Sequence, residues 1–257
     1  MSSEVPAHVR TAFGTGSDEE IVETQRLGPA WDNGIKVGQL VYARAGDTAH
    51  WSATVRERLN VDGARVARPV RSSDGRFLVA GWKATVWAPG VLSRRVDETA
   101  VTALRLEEAL TDEAAPPVSD DRDDVFARAE RAAWAEADGR FGPVDGLRPQ
   151  TGHADLLAGT VYEGAAAPTI TDLVPFAEQR PRGYSAALVL VDGLVYSAVD
   201  VGVLDRFAHV PQLLELAVRA AMYRRHVTEL HPAATSITRS SVAEVEELLL
   251  SRASATI

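Results

Sequence analysis

The feature that most limits the folds open to this chain is a change of periodicity at Pro89–Gly90. Before that pair the chain reads mainly as strands. In GIKVGQLVYAR the apolar residues Ile35, Val37, Val41 and Ala43 alternate, as they do where one face of a sheet is buried. VARPVRSSDGRFLVAGWKATVWAPG reads as three short strands, with SSDG turning the second connection into a hairpin. IVETQRL is a further strand, separated from GIKVGQLVYAR by the turn GPAWDNG, and the first twenty residues read as a frayed start with a short helix. One helix interrupts the strands: TAHWSATVRERL spaces Trp51, Val55 and Leu59 four apart.

After Gly90 the spacing becomes helical. ETAVTALRLEEAL and DVFARAERAAWAEA are amphipathic, SAALVLVDGLVYSAV and PQLLELAVRAAMYRRHV read as largely buried helices, and SSVAEVEELLLSRA closes the chain. EAAPPVSDDRDD between the first two is a polar surface loop. The pattern predicts an α+β protein of two lobes, a small antiparallel β-rich lobe over residues 1–88 and a mostly helical lobe over 89–257. A body of that kind places its ligand at the lobe junction.

Charge and residue usage narrow the chemistry. A net charge of -9 argues against non-specific nucleic-acid binding, which needs a cationic surface to displace counterions. Zero cysteines exclude disulfides and thiolate metal sites and fit a reducing cytoplasm. No apolar run reaches membrane-spanning length, and the first 25 residues are not signal-like, so the expected location is cytoplasmic. Lys36 and Lys83 are the only lysines, so a mechanism that needs a lysine has two candidates. His226 and His231 near a helix end lack a neighbouring third ligand and read as structural.

The stretch HADLLAGTVYEGAAAPTITDL, beginning at His153, is the one that does not read as scaffold. Phosphoryl transfer to a hydroxyl needs a carboxylate to take or orient the acceptor proton, acidic or amide ligands for Mg²⁺, and cations for the nucleotide phosphates. His153-Ala154-Asp155 supplies the first carboxylate two residues after a histidine. Thr160 falls where an asparagine ligand is usual, VYEGAAAPTI reads as a hairpin, and Asp172 follows its second strand.

Taken with VARPVRSSDGRFLVAGWKATVWAPG, DVFARAERAAWAE, ITDLVPF, RPRGYSAALVLVDGLVY and FAHVPQLLELAVRAAMYRRHV, this stretch resembles the aminoglycoside-phosphotransferase-like kinases, in particular an actinobacterial branch of them, over nearly the whole length. The resemblance implies a bilobal protein-kinase-like fold with ATP and Mg²⁺ as cofactors. It implies Asp155 as the catalytic carboxylate, His153 as a loop-stabilising residue and Asp172 as a metal ligand, with Thr160 at the second metal position. Trp87 and Ala88 in VWAPG become the interlobe hinge that meets the adenine.

Three positions depart from the family pattern. Thr160 replaces the metal-ligating asparagine. Ala43 stands where the strand should present the phosphate-pairing lysine, leaving Lys36 or Arg44 to replace it, although alternation turns Arg44 to the opposite face unless a bulge intervenes. Thr54 stands where the helix should carry the partner glutamate, with Glu57 nearly a turn later. Two readings follow. One is an ATP/Mg²⁺-dependent phosphotransferase acting on a hydroxyl of a small molecule or peptide. Its narrower form acts on Ser or Thr of a peptide natural-product precursor, with a separate lyase as partner. The other is a pseudokinase that serves as a binding or partner subunit.

Overall fold

The computed structural model describes residues 4–15, 23–117 and 122–255. Three strands form a meander in the region read as strands: β1 (Thr24–Arg26) pairs with β2 (Ile35–Val37), and β2 pairs with β3 (Leu40–Arg44). Ile21 and Val22 of the expected first strand lie outside the described residues. Helix α1 (Ala7–Ala12) precedes them and α2 (Ala49–Arg58) follows. Next come β4 (Arg65–Val66), β5 (Leu78–Val79), β6 (Trp82–Val86) and β7 (Val91–Leu92). The main sheet runs β1-β2-β3-β6-β5, antiparallel at every step.

The hairpin of this segment is not made by SSDG. It is made by Ala80–Gly81, which joins β5 to β6 with positive φ at both residues (51° and 75°), the geometry a two-residue turn needs to match strand twist. SSDG forms a separate turn in which the Ser72 hydroxyl donates to Asp74 at 2.7 Å and Gly75 adopts φ 85°.

Register separates the two faces of the main sheet. Tyr42 opposes Ile35 and Ala84, and this face packs Val37, Val79 and Trp82 against Val5, Val9 and Phe13 at α1. Val41, Ala43, Lys83 and Thr85 share the other face, because Val41 opposes Thr85 and Ala43 opposes Lys83.

The hairpin read from VYEGAAAPTI is present as β9 (Thr160–Tyr162) and β10 (Thr169–Ile170). It belongs to a second sheet, β4-β10-β9-β7, in which β10 runs parallel to β4 and β9 antiparallel to β7. These ladders explain the division of the chain. Met1–Ser93 and Ala158–Val174 form one compact unit, and Arg94–Leu157 and Pro175–Ile257 form another. The boundary drawn from periodicity at residue 88 leaves out β7 and the hairpin, whose backbone hydrogen bonds tie them to the sheet unit.

The second unit is helical: α3 (Val96–Ala109), α4 (Val125–Phe141), α5 (Tyr184–Val195), α6 (Val203–Arg206), α7 (Leu213–Leu230) and α8 (Ser236–Ser254), with a two-stranded ladder of β8 (Pro149–Gln150) and β11 (Arg180–Pro181). Helix α5 is buried along almost its whole length, as its apolar sequence requires, and packs against α3, α7 and α8. Asp124 caps α4 by accepting from Phe126 and Ala127, and Thr235 caps α8 by accepting from Thr238. The start of α5 has no cap of its own. Glu107 of α3, 1% exposed, accepts the Gly183 and Ser185 amides at 2.7 and 2.8 Å, and burial raises its pKa against those bonds. No described helix is long and apolar enough to cross a membrane.

Candidate active site

In the sheet unit, charge collects around one carboxylate. Lys83 sits mid-strand in β6, 9% exposed, and its ammonium donates to the Asp172 Oδ2 oxygen and lies 2.6 Å from Asp32 Oδ2. The other Asp172 oxygen, Oδ1, receives the Ser52 hydroxyl, the Arg56 Nε at 3.1 Å and the Leu173 amide at 2.8 Å. Ser52 and Arg56 stand four apart on α2, the spacing that puts two side chains on one helix face. Arg56, 1% exposed, is fixed further by bonds from Nη1 to the Ala67 and Thr171 carbonyls at 2.8 and 3.0 Å.

These contacts set the charges. Burial pushes the Asp172 carboxyl up, but Arg56 and then Lys83 outweigh it and hold the group well below its ordinary 3.8. Burial likewise works against the Lys83 ammonium. Asp172 and Asp32 overcome it, so the lysine stays charged with its pKa raised.

The turn between β1 and β2 closes over this group. Pro29–Trp31 forms a single 3₁₀ turn, after which Asp32 and Asn33 both take positive φ, 54° and 52°. Asp and Asn are the non-glycine residues that tolerate this region best. Gly34 is required where the turn rejoins the sheet: a Cβ there would lie 2.6 Å from the Tyr42 carbonyl oxygen and 2.8 Å from that of Trp31. Trp31, 8% exposed, packs with Val41, Ala67 and Val161, with Ala30, Trp87 and Ala88 against the same cluster. The Thr171 hydroxyl donates to the Ala30 carbonyl and so latches the turn to the strand end beside Asp172. Between Ala30, Trp31, Asp32, Val41, Ala43, Lys83, Thr85, Thr171 and Asp172 a cavity of only about 10 Å³ is left. A neighbouring cavity of about 220 Å³, lined in part by Asp32, Arg44, Ser52, Lys83 and Asp172, shares Asp32, Lys83 and Asp172 with it.

The residues singled out from sequence fall into separate groups. Lys36 opposes Val41, and its ammonium stands 4.0 Å from the centre of the Trp87 ring, so these two lie together, with Trp87 and Ala88 beside Trp31. Arg44 lies over Trp82 at 4.3 Å and register starts its side chain on the face away from Ala43 and Lys83, yet it lines the 220 Å³ cavity together with Asp32, Lys83 and Asp172. Thr160 is fully buried in β9 opposite Ile170. Thr54 points out of α2 and donates to the His50 carbonyl, while Glu57 pairs with Arg71 on the surface.

Asp32, Ser52, Arg56 and Trp31 were not singled out, and Lys83 was named only as one of the two available lysines. The signal for Lys83 was present in the sequence: it is one of two lysines, and antiparallel pairing of its strand with LVYAR sets it opposite Ala43.

In the helical unit, His153 is fully buried. Its amide donates to the Ser185 hydroxyl at 3.0 Å and its Nδ1 accepts the Asp155 amide at 3.0 Å, a loop-stabilising arrangement. Gly152 precedes it because a Cβ there would lie 2.5 Å from the Phe176 ring and 2.6 Å from Ser185 Oγ. Arg224 of α7 holds Asp192 of α5 through two bonds of 2.7 and 2.6 Å and donates to the Ala154 carbonyl at 3.1 Å. The same guanidinium is 3.7 Å from Asp155, whose side chain is 53% exposed. Asp155 is therefore anchored through its backbone and presents its carboxylate outward.

The donor set does not fit a divalent ion as it stands. Lys83 holds one Asp172 oxygen, Ser52 and Arg56 hold the other, and no three His, Asp or Glu side chains among the described residues are grouped to hold a metal.

No family model matches the sequence, and no curated protein matches it. Solved structures do. A thermostable mutant of aminoglycoside phosphotransferase APH(4)-Ia, in its apo form, is 11% identical with a TM-score of 0.52, over 95% of this chain and 98% of that one. Plasmodium vivax ethanolamine kinase is 10% identical with a TM-score of 0.49, over 90% of this chain and 83% of that one. At such identities the likeness is one of fold: an antiparallel sheet unit followed by a helical unit, the α+β, protein-kinase-like fold of the aminoglycoside phosphotransferase.

Proposed function

We propose that this chain is a nucleotide-dependent phosphotransferase with a hydroxyl acceptor, and that Lys83 is its phosphate-pairing cation. The observation that carries the reading is the buried Lys83–Asp172 pair on the face of the main sheet, within a fold shared with a phosphotransferase. A lysine held charged by two carboxylates in a nearly closed setting is matched to a polyanion. Once a phosphate oxygen replaces Asp32 as its partner, the ammonium keeps its compensation. Asp155 then takes the acceptor proton while the acceptor oxygen bonds to phosphorus and the bond to the leaving nucleotide oxygen breaks. His153, Ser185 and Arg224 hold the Asp155 loop in place. Trp87, Ala88 and Lys36 flank the base, and no step is assigned to a metal. Arg44 lines the cavity beside Lys83 and Asp172 and is a second cation for the phosphates, and Thr160, buried in its strand, takes no part in the reading.

The acceptor belongs to the hydroxyl-bearing small molecules or peptides, the narrower form being a Ser or Thr side chain of a precursor peptide processed with a lyase. Co-purification with such a lyase tests the narrower form; a monomer active on small molecules alone contradicts it.

A second reading, a pseudokinase that binds without transferring, is favoured by one arrangement: both Asp172 oxygens are spent on protein donors, and Thr160 is buried in a strand. The two readings part on one experiment. Calorimetric titration with ATP and turnover assays on Asp155→Asn should show retained binding and lost transfer. Binding without transfer in the wild type, with every class of hydroxyl acceptor, selects the pseudokinase.

A further inference from the structure

We infer that the turn Gly28–Gly34 occupies the chain's own nucleotide site, with Trp31 standing where the base goes and Asp32 where a phosphate goes. The inference rests on the proposed nucleotide site and adds a built-in competitor to it.

Three independent contacts place the turn there. The Trp31 indole, a flat bicyclic ring about the size of a purine, packs in one cluster with Val41 of the main sheet and Val161 of the second sheet, with Trp87 and Ala88 against the same cluster. These are aliphatic side chains and the segment expected to meet an adenine. One residue on, the Asp32 carboxylate lies 2.6 Å from the Lys83 ammonium, the proposed phosphate cation. The turn is then fastened by the Thr171 hydroxyl on the Ala30 carbonyl, at the strand end that leads into Asp172. A base analogue and an anion are thus presented by consecutive residues, and about 10 Å³ remains between them and the sheet. While the turn keeps this place the ring slot is filled and Asp32 holds Lys83.

The turn is also built to leave. Asp32 is 46% exposed, so its ion pair is open to exchange. A ligand that offers a better ring to the slot and more negative charge to Lys83 replaces both contacts at once.

The test is calorimetric titration of the full chain with ATP, with adenosine and with inorganic tripolyphosphate. The proteins compared are the wild type, Trp31→Ala and Asp32→Asn. Self-occupation predicts that both variants bind ATP about tenfold tighter than the wild type, as when the open state is populated to about one part in ten. Because each variant releases the same turn, both ligands should tighten in both, tripolyphosphate most in Asp32→Asn and adenosine most in Trp31→Ala. Asp32→Asn removes only a half-exposed charge, so it keeps the test intact if Trp31→Ala fails to fold. Equal ATP affinity in all three proteins overturns the inference and leaves the nucleotide reading standing. Weaker binding in the variants makes Trp31 a platform for the base, which also overturns it. Absence of binding in every protein removes the nucleotide site and the inference with it.

Discussion

At the scale of single residues, Arg56 decides how the Asp172 carboxylate is used. It is almost without solvent exposure, and four acceptors depend on its guanidinium: Ser52, Asp172 and two carbonyls. Arg56→Ala strips two buried carbonyls of their donor and takes one cation from Asp172, which keeps Lys83, and should destabilise the protein by about 3–5 kcal/mol in urea unfolding. A loss below about 1 kcal/mol would show the network to be loose.

The Asp172 charge itself has a signature in pH. Its pKa is lowered in the folded state, so its contribution to stability is fully present above its ordinary 3.8 and is lost as pH falls through and below that value. Lys83 has a raised pKa, so its contribution is present below its ordinary 10.5 and is lost as pH rises through the folded value. Between about pH 5 and 10 neither group changes charge. Thermal midpoints of the wild type and Asp172→Asn, compared from pH 7 down to 3, should converge; a gap that stays constant would remove the charge from the account.

At the scale of elements, backbone conformation explains what was legible and what was not. Alternation in GIKVGQLVYAR found β2 and β3, and three-four spacing found α3, α4, α5, α7 and α8, because each buries one regular face or is buried throughout. Hairpin placement failed for a local reason. SSDG carries the usual turn residues, but the turn that joins paired strands is Ala80–Gly81, where alanine takes φ 51°. Ala80→Gly should therefore stabilise the hairpin by about 0.5–1 kcal/mol, read as a rise in the urea midpoint. A fall would mean the alanine methyl is worth more in place than the strain costs.

The site was half legible for a related reason. Asp155, His153 and Asp172 could be read because a short stretch carries them in order. Lys83, Asp32 and Arg56 lie on three separate elements and meet only through strand register and one helix face. The expected lysine position, Ala43, was one strand away from the lysine that lies opposite it.

At the scale of the whole molecule, each compact unit carries its own part of the chemistry, and the chain passes from the helical unit into the sheet unit and back between residues 157 and 175. Periodicity alone could not see that excursion, since a three-residue and a two-residue strand leave little pattern. In the helical unit, Arg224 is a positioning residue for Asp155. Arg224→Lys, which loses the paired bonds to Asp192, should lower kcat while leaving the ATP dissociation constant within about twofold. An equal loss in binding would assign Arg224 to stability instead.

The central claim is that Lys83 is the phosphate cation of a nucleotide site. It is tested most directly by titrating ATP into the wild type and Lys83→Met, with folding checked by circular dichroism. The account predicts binding by the wild type and an affinity at least about tenfold lower in Lys83→Met, the worth of one charged hydrogen bond. Equal affinity in the two proteins, or no binding by a folded wild type, would contradict it.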